Sequence, residues 1–237
     1  MSFDLTVFIP AYNEQANLMQ CVQVVQEKLS LLGVNHEILI VDDGSQDATG
    51  ELAQALARRH TGVRLVRHAQ NRGIGGAFVT AIQHAQGEWM ILIPADLALH
   101  PDELRHYIDA APNADVVVGL RSDRSDYTLL RKLISTTNIC LIRWLFGMQL
   151  HQFQYISMYR LKVLRSMTIE YWRSAFFLAE VLVKARDMGC RLIEVEIRYA
   201  PRLQGKATGA KARLIISTLA DMLHFWLRRH FSHRIVG

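Results

Sequence analysis

The chain has 237 residues, half of them apolar, which is enough for one large α/β core and excludes a disordered chain. Its net charge of +5 hides an uneven distribution: residues 1–120 carry 7 Lys and Arg against 14 Asp and Glu, whereas residues 121–237 carry 20 against 8. Three cysteines at wide spacing exclude a disulfide framework and a zinc site, and the basic second half calls for an anionic partner.

In chain order, Leu5–Pro10 is a short β-rich run, and Leu18, Val22, Val25, Leu29 and Leu32 then recur at helical spacing. Glu37–Asp42 predicts a second buried strand. It closes on Asp43, Gly44 and Ser45, where Ser45 or Asp47 can cap a helix running to Arg59. The alternation continues with strand 63–68, helix 74–86, strand 88–93, helix 102–111 and strand 115–119, which predicts a mostly parallel, doubly wound sheet with helices on both faces. After Gly119 a charged loop leads to a helix bearing Leu130, Leu133, Ile134, Thr137, Leu141, Trp144 and Leu145 on one face. A strand within 154–160, a helix at 177–189, a strand at 191–199, a loop with two glycines at 201–209 and a last helix at 212–229 follow. The apolar stretches 133–150 and 214–227 contain Arg143 and Asp221 and fall short of a ~20-residue span, so no membrane-crossing helix is expected. The N-terminus lacks the basic region of a signal peptide, and the expected location is cytoplasmic.

Ligands of open parallel sheets bind outside the carboxyl ends of the strands. There the sequence places Pro10, Tyr12 and Glu14 after the first strand, Asp42 and Asp43 after the second, Gly73, Gly75 and Gly76 after the third, and Asp96 after the fourth. Carboxylates at strand ends accept hydrogen bonds from a base or ribose, and a glycine turn at a helix start admits a phosphate, so together they suggest a nucleotide site. The plainer reading makes Asp42 and Asp43 turn and cap residues. The glycine spacing is not that of a dinucleotide fingerprint, and no P-loop occurs.

Taken in order, the runs Val7-Phe-Ile-Pro-Ala-Tyr-Asn-Glu14, Ile40-Val-Asp-Asp-Gly-Ser-Gln-Asp47, Asn71-Arg-Gly-Ile-Gly-Gly76, Leu130-Arg-Lys-Leu-Ile-Ser135 and Pro201-Arg-Leu-Gln-Gly-Lys206 resemble the inverting family 2 glycosyltransferases of GT-A fold. The similarity is to the dolichyl- and polyprenyl-phosphate sugar (mannosyl- or glucosyl-) transferases in particular. It implies that Pro10, Tyr12, Glu14, Asp42 and Asp43 serve the nucleoside, that Gly75 lies near the nucleotide, and that Asp96 matches the last aspartate of a D-x-D metal motif. It further implies that Arg121, Arg131, Arg202 and Lys206 hold the donor diphosphate and the acceptor phosphate. Glu180 stands at an acidic position near the acceptor, as a base for a hydroxyl acceptor or as the partner of an arginine. On this resemblance residues 1–120 are the nucleotide-sugar-binding half and residues 121–237 the acceptor-binding half of one continuous domain, with a UDP- or GDP-sugar donor and a lipid-phosphate acceptor.

The sequence departs from that pattern where Pro94 replaces the first D-x-D aspartate and Ala98 a further polar position. The Mg2+ or Mn2+ that the resemblance implies is thereby left with Asp96 alone. The alternatives are charge compensation by arginines without an ion, a weak ion on Asp96, or lost catalysis. His151 stands where relatives place an aspartate, as a ligand or base or as a hydrogen-bonded histidine. The last helix carries Ile215, Leu219, Met222 and Trp226 on one stripe and either caps the core, forms a dimer interface, or lies peripherally on the inner face of a membrane with Arg228, Arg229 and Arg234 toward lipid. A soluble hydroxyl acceptor and a silent nucleotide-sugar-binding protein are the competing functions. Nucleic-acid binding lacks an aromatic platform or recognition helix.

Overall fold

The computed structural model describes residues 3–122, 128–153, 156–198 and 212–232. The elements are β1 (Phe3–Ala11), α1 (Leu18–Leu31), β2 (His36–Asp42), α2 (Thr49–Arg59), β3 (Val63–Arg67), α3 (Gly73–His84), β4 (Gly87–Leu92), α4 (Leu104–Ala110), β5 (Val116–Arg121), α5 (Leu129–Phe146), β6 (Ser157–Arg160), α6 (Leu161–Arg165), α7 (Phe177–Asp187), β7 (Leu192–Ile197) and α8 (Ala212–Ser232). The strands form one seven-stranded sheet in the order β3-β2-β1-β4-β6-β5-β7. All neighbours pair in parallel except β6, which runs antiparallel to both β4 and β5.

Strand alternation sorts side chains to two faces. Leu5, Val7, Ile9, Ile38 and Ile40 pack with the buried α1 stripe of Leu18, Val22, Val25 and Leu29. Phe8, Leu39, Val41 and Met90 face the other way, onto Phe78 of α3 and onto α7. Helices cover both faces, as a parallel sheet buried on both sides requires. The chain steps outward from β1 through β2 to β3, then returns past β1 to β4, so the strand order reverses between β1 and β4. A crevice outside their carboxyl ends is the consequence.

The late elements differ from the sequence expectation mainly at β6. The run expected within 154–160 enters the middle of the sheet, and the short helix α6, which the periodicity does not signal, follows it directly. Residue 128 caps α5: the Thr128 hydroxyl accepts from the Arg131 amide at 3.3 Å, and Gly147, at φ +63°, ends the helix in the left-handed region. Only Ile142 and Phe146 of α5 are buried.

Candidate active site

The loops after β1 and β2 are laced together. The Asp43 amide donates to the Ala11 carbonyl (2.8 Å), the Asn13 amide to the Ser45 hydroxyl (3.0 Å), and the Glu14 amide to the Thr49 hydroxyl (2.8 Å). In return the Gln46 amide donates to Asn13 Oδ1 (2.9 Å). This fixes Pro10, Tyr12 and Glu14 at the carboxyl edge, with Tyr12 exposed and Glu14 accepting from Asn17 Nδ2 at 2.8 Å. Asn13 holds φ +56°, a conformation asparagine tolerates better than most side chains.

Asp42 and Asp43 are both buried, and each is engaged by the protein. Asp42 Oδ1 accepts from the Ser45 amide (2.9 Å) and Oδ2 lies 2.9 Å from Arg67 Nε. Asp43 reaches across to the glycine turn: its oxygens accept from the Arg72 amide (2.8 Å) and the Gly73 amide (2.7 Å), while Oδ1 lies 2.6 Å from His68 Nδ1. His68 Nε2 continues the chain to the Thr80 hydroxyl at 2.9 Å. The pair therefore shapes the turn and the start of α3, as the plainer reading of these aspartates anticipates. Gly44, at φ +75°, sits so close to the 70–71 backbone that a Cβ would come within 2.9 Å of it.

Gly75 packs directly on a neighbouring segment: a Cβ there would lie 1.9 Å from the Trp172 carbonyl oxygen. Packing against this backbone by itself requires a glycine at this position. Trp172 itself carries the guanidinium of Arg173 at 4.1 Å and that of Arg72 at 5.4 Å from its ring centre. Neither Trp172 nor Arg173 carries a sequence signal, because the segment between α6 and α7 has no period, whereas Arg72 belongs to the glycine turn.

Asp96 lies in the loop after β4, partly buried, with Oδ1 accepting from the Ala98 amide at 3.2 Å. The adjacent Leu97 is held at φ +52°, so the two non-glycine residues with positive φ among the described residues, Asn13 and Leu97, flank the same crevice. Cys21 lies beneath it, 3.7 Å from the Pro94 carbonyl. Burial, followed by the charges of Asp96 and Glu14, pushes its thiol up to about 12. The same two carboxylates thus converge from β1 and β4. Among the described residues no group of three His, Cys, Asp or Glu side chains is placed to hold a metal. A cage built by protein alone does not fit. A single carboxylate at this sheet edge fits an ion whose other ligands are phosphates and water.

Arg121 ends β5 at the same sheet edge; it is buried, and its carbonyl accepts from Gln152 Nε2 at 3.0 Å. Arg131 lies in the first turn of α5. Arg202 and Lys206 lie outside the described residues. His151 is exposed and bonded to Glu194 through both its amide and Nδ1, each at 2.7 Å. Glu180 has no exposure. It accepts from the amides of Glu170 (2.8 Å) and Tyr171 (2.9 Å) and from Lys184 Nζ (2.6 Å). This is the geometry of a carboxylate holding a loop, with a lysine where the sequence reading put an arginine.

A family model for glycosyl transferase family 2 matches residues 6–181, which spans the crevice and every described strand except β7. The chain belongs to glycosyl transferase family 2. Among its relatives is the undecaprenyl-phosphate 4-deoxy-4-formamido-L-arabinose transferase of Edwardsiella ictaluri, 30% identical over 89% of this chain and 64% of the relative. The protein of that name from Pseudomonas paraeruginosa is 29% identical over 89% and 62%. The chain therefore spans less than two thirds of the length of these relatives. The fold matches glucosyl-3-phosphoglycerate synthase from Mycobacterium tuberculosis, solved with phosphoglyceric acid, at a TM-score of 0.71 and 17% identity over 94% of this chain and 79% of the other. It also matches a mannosyltransferase from Pyrobaculum calidifontis, solved with GDP-Man and Mn2+, at a TM-score of 0.68 and 21% identity over 94% and 65%. The sheet is that of the GT-A glycosyltransferases, as expected from the sequence.

Proposed function

We propose that this family 2 protein transfers a sugar, with inversion at the anomeric carbon, from a UDP- or GDP-sugar to a polyprenyl phosphate or similar lipid-linked phosphate. The observation that carries the reading is that Glu14 and Asp96, at the acidic ends of β1 and β4, share one sheet edge with Arg121 at the end of β5. A nucleotide is served at one end of such a crevice and its leaving phosphates at the other. The names of the undecaprenyl-phosphate relatives supply the acceptor class.

In this reading Pro10, Tyr12 and Glu14 line the nucleoside. Asp43 accepts three bonds from the protein, against the four or so a carboxylate can take, and has room for one donor of a base. Asp42 keeps the wall in place. Asp96 would hold a divalent cation jointly with the donor diphosphate, where the ion would offset charge on the leaving group. Arg121 and Arg131, with Arg202 and Lys206 by resemblance, bind diphosphate and acceptor phosphate, a task suited to the planar guanidinium. An acceptor phosphate is ionised near neutral pH and needs positioning and charge compensation, not a general base. The full burial of Glu180 agrees with that, since a base for a hydroxyl acceptor must be reachable by the acceptor. An acceptor of this kind would be met at a membrane surface, which supports a cytoplasmic location, peripheral on the inner face of a membrane, in this reading.

The test is incubation of the protein with UDP- and GDP-sugars and undecaprenyl phosphate, followed by chromatography of the organic phase. Sugar-labelled lipid phosphate is the expected product. Labelled glycan or water-soluble product alone, or donor binding without any transfer, would reject the reading.

A further inference from the structure

Many paired polar groups of this chain hold one element to another. Arg228 and Arg229, expected from the sequence to face lipid, are instead ion-paired with Glu170 and Asp187 and bind α8 to the domain. His68, the first residue after β3, is different, because it holds a side chain of the donor site. Its ring is 7% exposed and is fixed from three directions. The His68 amide donates to the Asp42 carbonyl at 2.8 Å, Nδ1 lies 2.6 Å from Asp43 Oδ1, and Nε2 lies 2.9 Å from the Thr80 hydroxyl of α3.

An ionised carboxylate only accepts, so the hydrogen between the two side chains sits on Nδ1 of His68. A carboxylate offers about four lone pairs, two on each oxygen. On Oδ1 of Asp43 both are in use, by the Arg72 amide at 2.8 Å and by His68, while on Oδ2 the Gly73 amide at 2.7 Å uses one. A single acceptor position is left, on Oδ2. Asp42 adds none, being without exposure and held by the Ser45 amide and Arg67.

That count separates the nucleobases, which are read on their pairing edges. Uracil presents one N–H between two carbonyls, and one lone pair satisfies it. Guanine presents an N–H and an amino group side by side, a pair that suits a carboxylate with a lone pair free on each oxygen. Here the second of those donors would be left unpaired, which costs about tenfold to a hundredfold in affinity. Adenine and cytosine set a ring-nitrogen lone pair beside their amino group, and it would face the carboxylate. The amides of Arg72 and Gly73 take one lone pair from each oxygen and treat the two alike. His68 is what makes them unequal.

We infer that His68 sets the base selectivity of the donor site, holding Oδ1 of Asp43 so that the carboxylate receives one N–H and not two. It is a positioning residue, since it meets Asp43 and not the nucleotide. The inference rests on the reading of Asp43 as a nucleoside contact and narrows the donor to a uracil-type base.

Calorimetric titrations with UDP and with GDP, each with Mg2+, compare the parent with His68→Asn and His68→Leu. Asparagine and leucine branch alike, but only asparagine keeps an N–H near the place of Nδ1. The parent should bind UDP at least about tenfold more tightly than GDP, His68→Asn should keep most of that preference, and His68→Leu should bring the two within about threefold. Equal affinities in the parent, or a preference for GDP, overturn the inference. So does a folded His68→Leu that keeps the preference, even with both affinities lowered, since that is the mark of a ring that only supports the loop. If His68→Leu melts below the assay temperature, imidazole nitrogen NMR of the parent decides: it should show hydrogen on Nδ1 of His68 and a signal that moves when UDP is added. Hydrogen on Nε2 alone, or a signal that UDP leaves in place, overturns the inference. Binding of neither nucleotide overturns it together with the donor site, whereas selective UDP binding without transfer to lipid phosphate overturns only the function proposed above.

Discussion

The carbonyl oxygen of Trp172 occupies the space where a side chain on Gly75 would begin, 1.9 Å from a Cβ built there. The segment before α7 is thereby seated on the first turn of α3, and Asp43 grips that turn from the other side through the amides of Arg72 and Gly73. Because backbone meets backbone, the contact has no flexible side-chain end that could move away. Gly75→Ala should cost about 3 kcal/mol or more, at or above the upper end of ordinary overpacking. Denaturant melts check it, and a variant as stable as the parent would refute the contact.

Glu180 secures the same segment from beneath. Glu180→Ala leaves the buried Tyr171 amide and the half-buried Glu170 amide without an acceptor and should destabilise the protein by about 3 kcal/mol, whereas Glu180→Gln keeps a carbonyl acceptor and should recover much of the loss. Neither change should alter the shape of the pH profile of transfer. A profile in Glu180→Gln that loses its alkaline-rising limb would restore the role of base.

Asp43→Ala removes three hydrogen bonds at once. Calorimetric titration with nucleoside diphosphate should show affinity lowered at least about tenfold, together with a loss of roughly 2–4 kcal/mol of stability. Asp43→Asn, which keeps one carbonyl oxygen, should fall between. Unchanged nucleotide affinity in Asp43→Ala would remove Asp43 from the donor site.

Asp96 is expected to bind metal only in company. Titration of Mn2+ into the protein alone should give negligible heat, titration in the presence of UDP or GDP should give a saturable signal, and Asp96→Asn should abolish it. A saturable site without nucleotide, or one that survives Asp96→Asn, would contradict the arrangement.

Glu170 ties α8 to the domain. Its hydrogen bond to Lys184 foremost, then that to Arg228, holds its carboxyl below the ordinary value of 4.5, against the raising effect of burial. A depressed carboxylate contributes stability that is present above the unfolded value and lost as pH falls through the folded one. Glu170→Gln should therefore melt below the parent at neutral pH, by less than about 1 kcal/mol, with the gap closing as the pH falls below 4.5. A gap that persists in acid would show that packing, not charge, is at stake.

Much of the architecture is legible from periodicity. The α1 stripe from Leu18 to Leu29 is the buried one, and the strand ends bearing Glu14 and Asp96 share a crevice because parallel strands point one way. Less legible is what depends on distant partners. Nothing near residues 157–160 says that they enter between β4 and β5, since strand pairing is set by the whole sheet. Likewise nothing near Asp43 in the sequence shows that the amides of Arg72 and Gly73, 29 and 30 residues on, donate to its carboxylate. The two faces of α8 are equally apolar in sequence. Only the anchors Glu170 and Asp187, on other elements, reveal which one is turned outward.

The place of β6 has a consequence for synthesis. When the ribosome has delivered residues 1–121, five strands exist, yet β4 and β5 have no edge to share, because the four residues that bridge them have not been made. The nascent sheet waits with an open flank until residue 160 emerges, and α5 must be spun out first. A chain halted before that point would display the bare edge of β4, a template for pairing with another unfinished copy. Completion of the acidic half is thus timed by the arrival of the basic one.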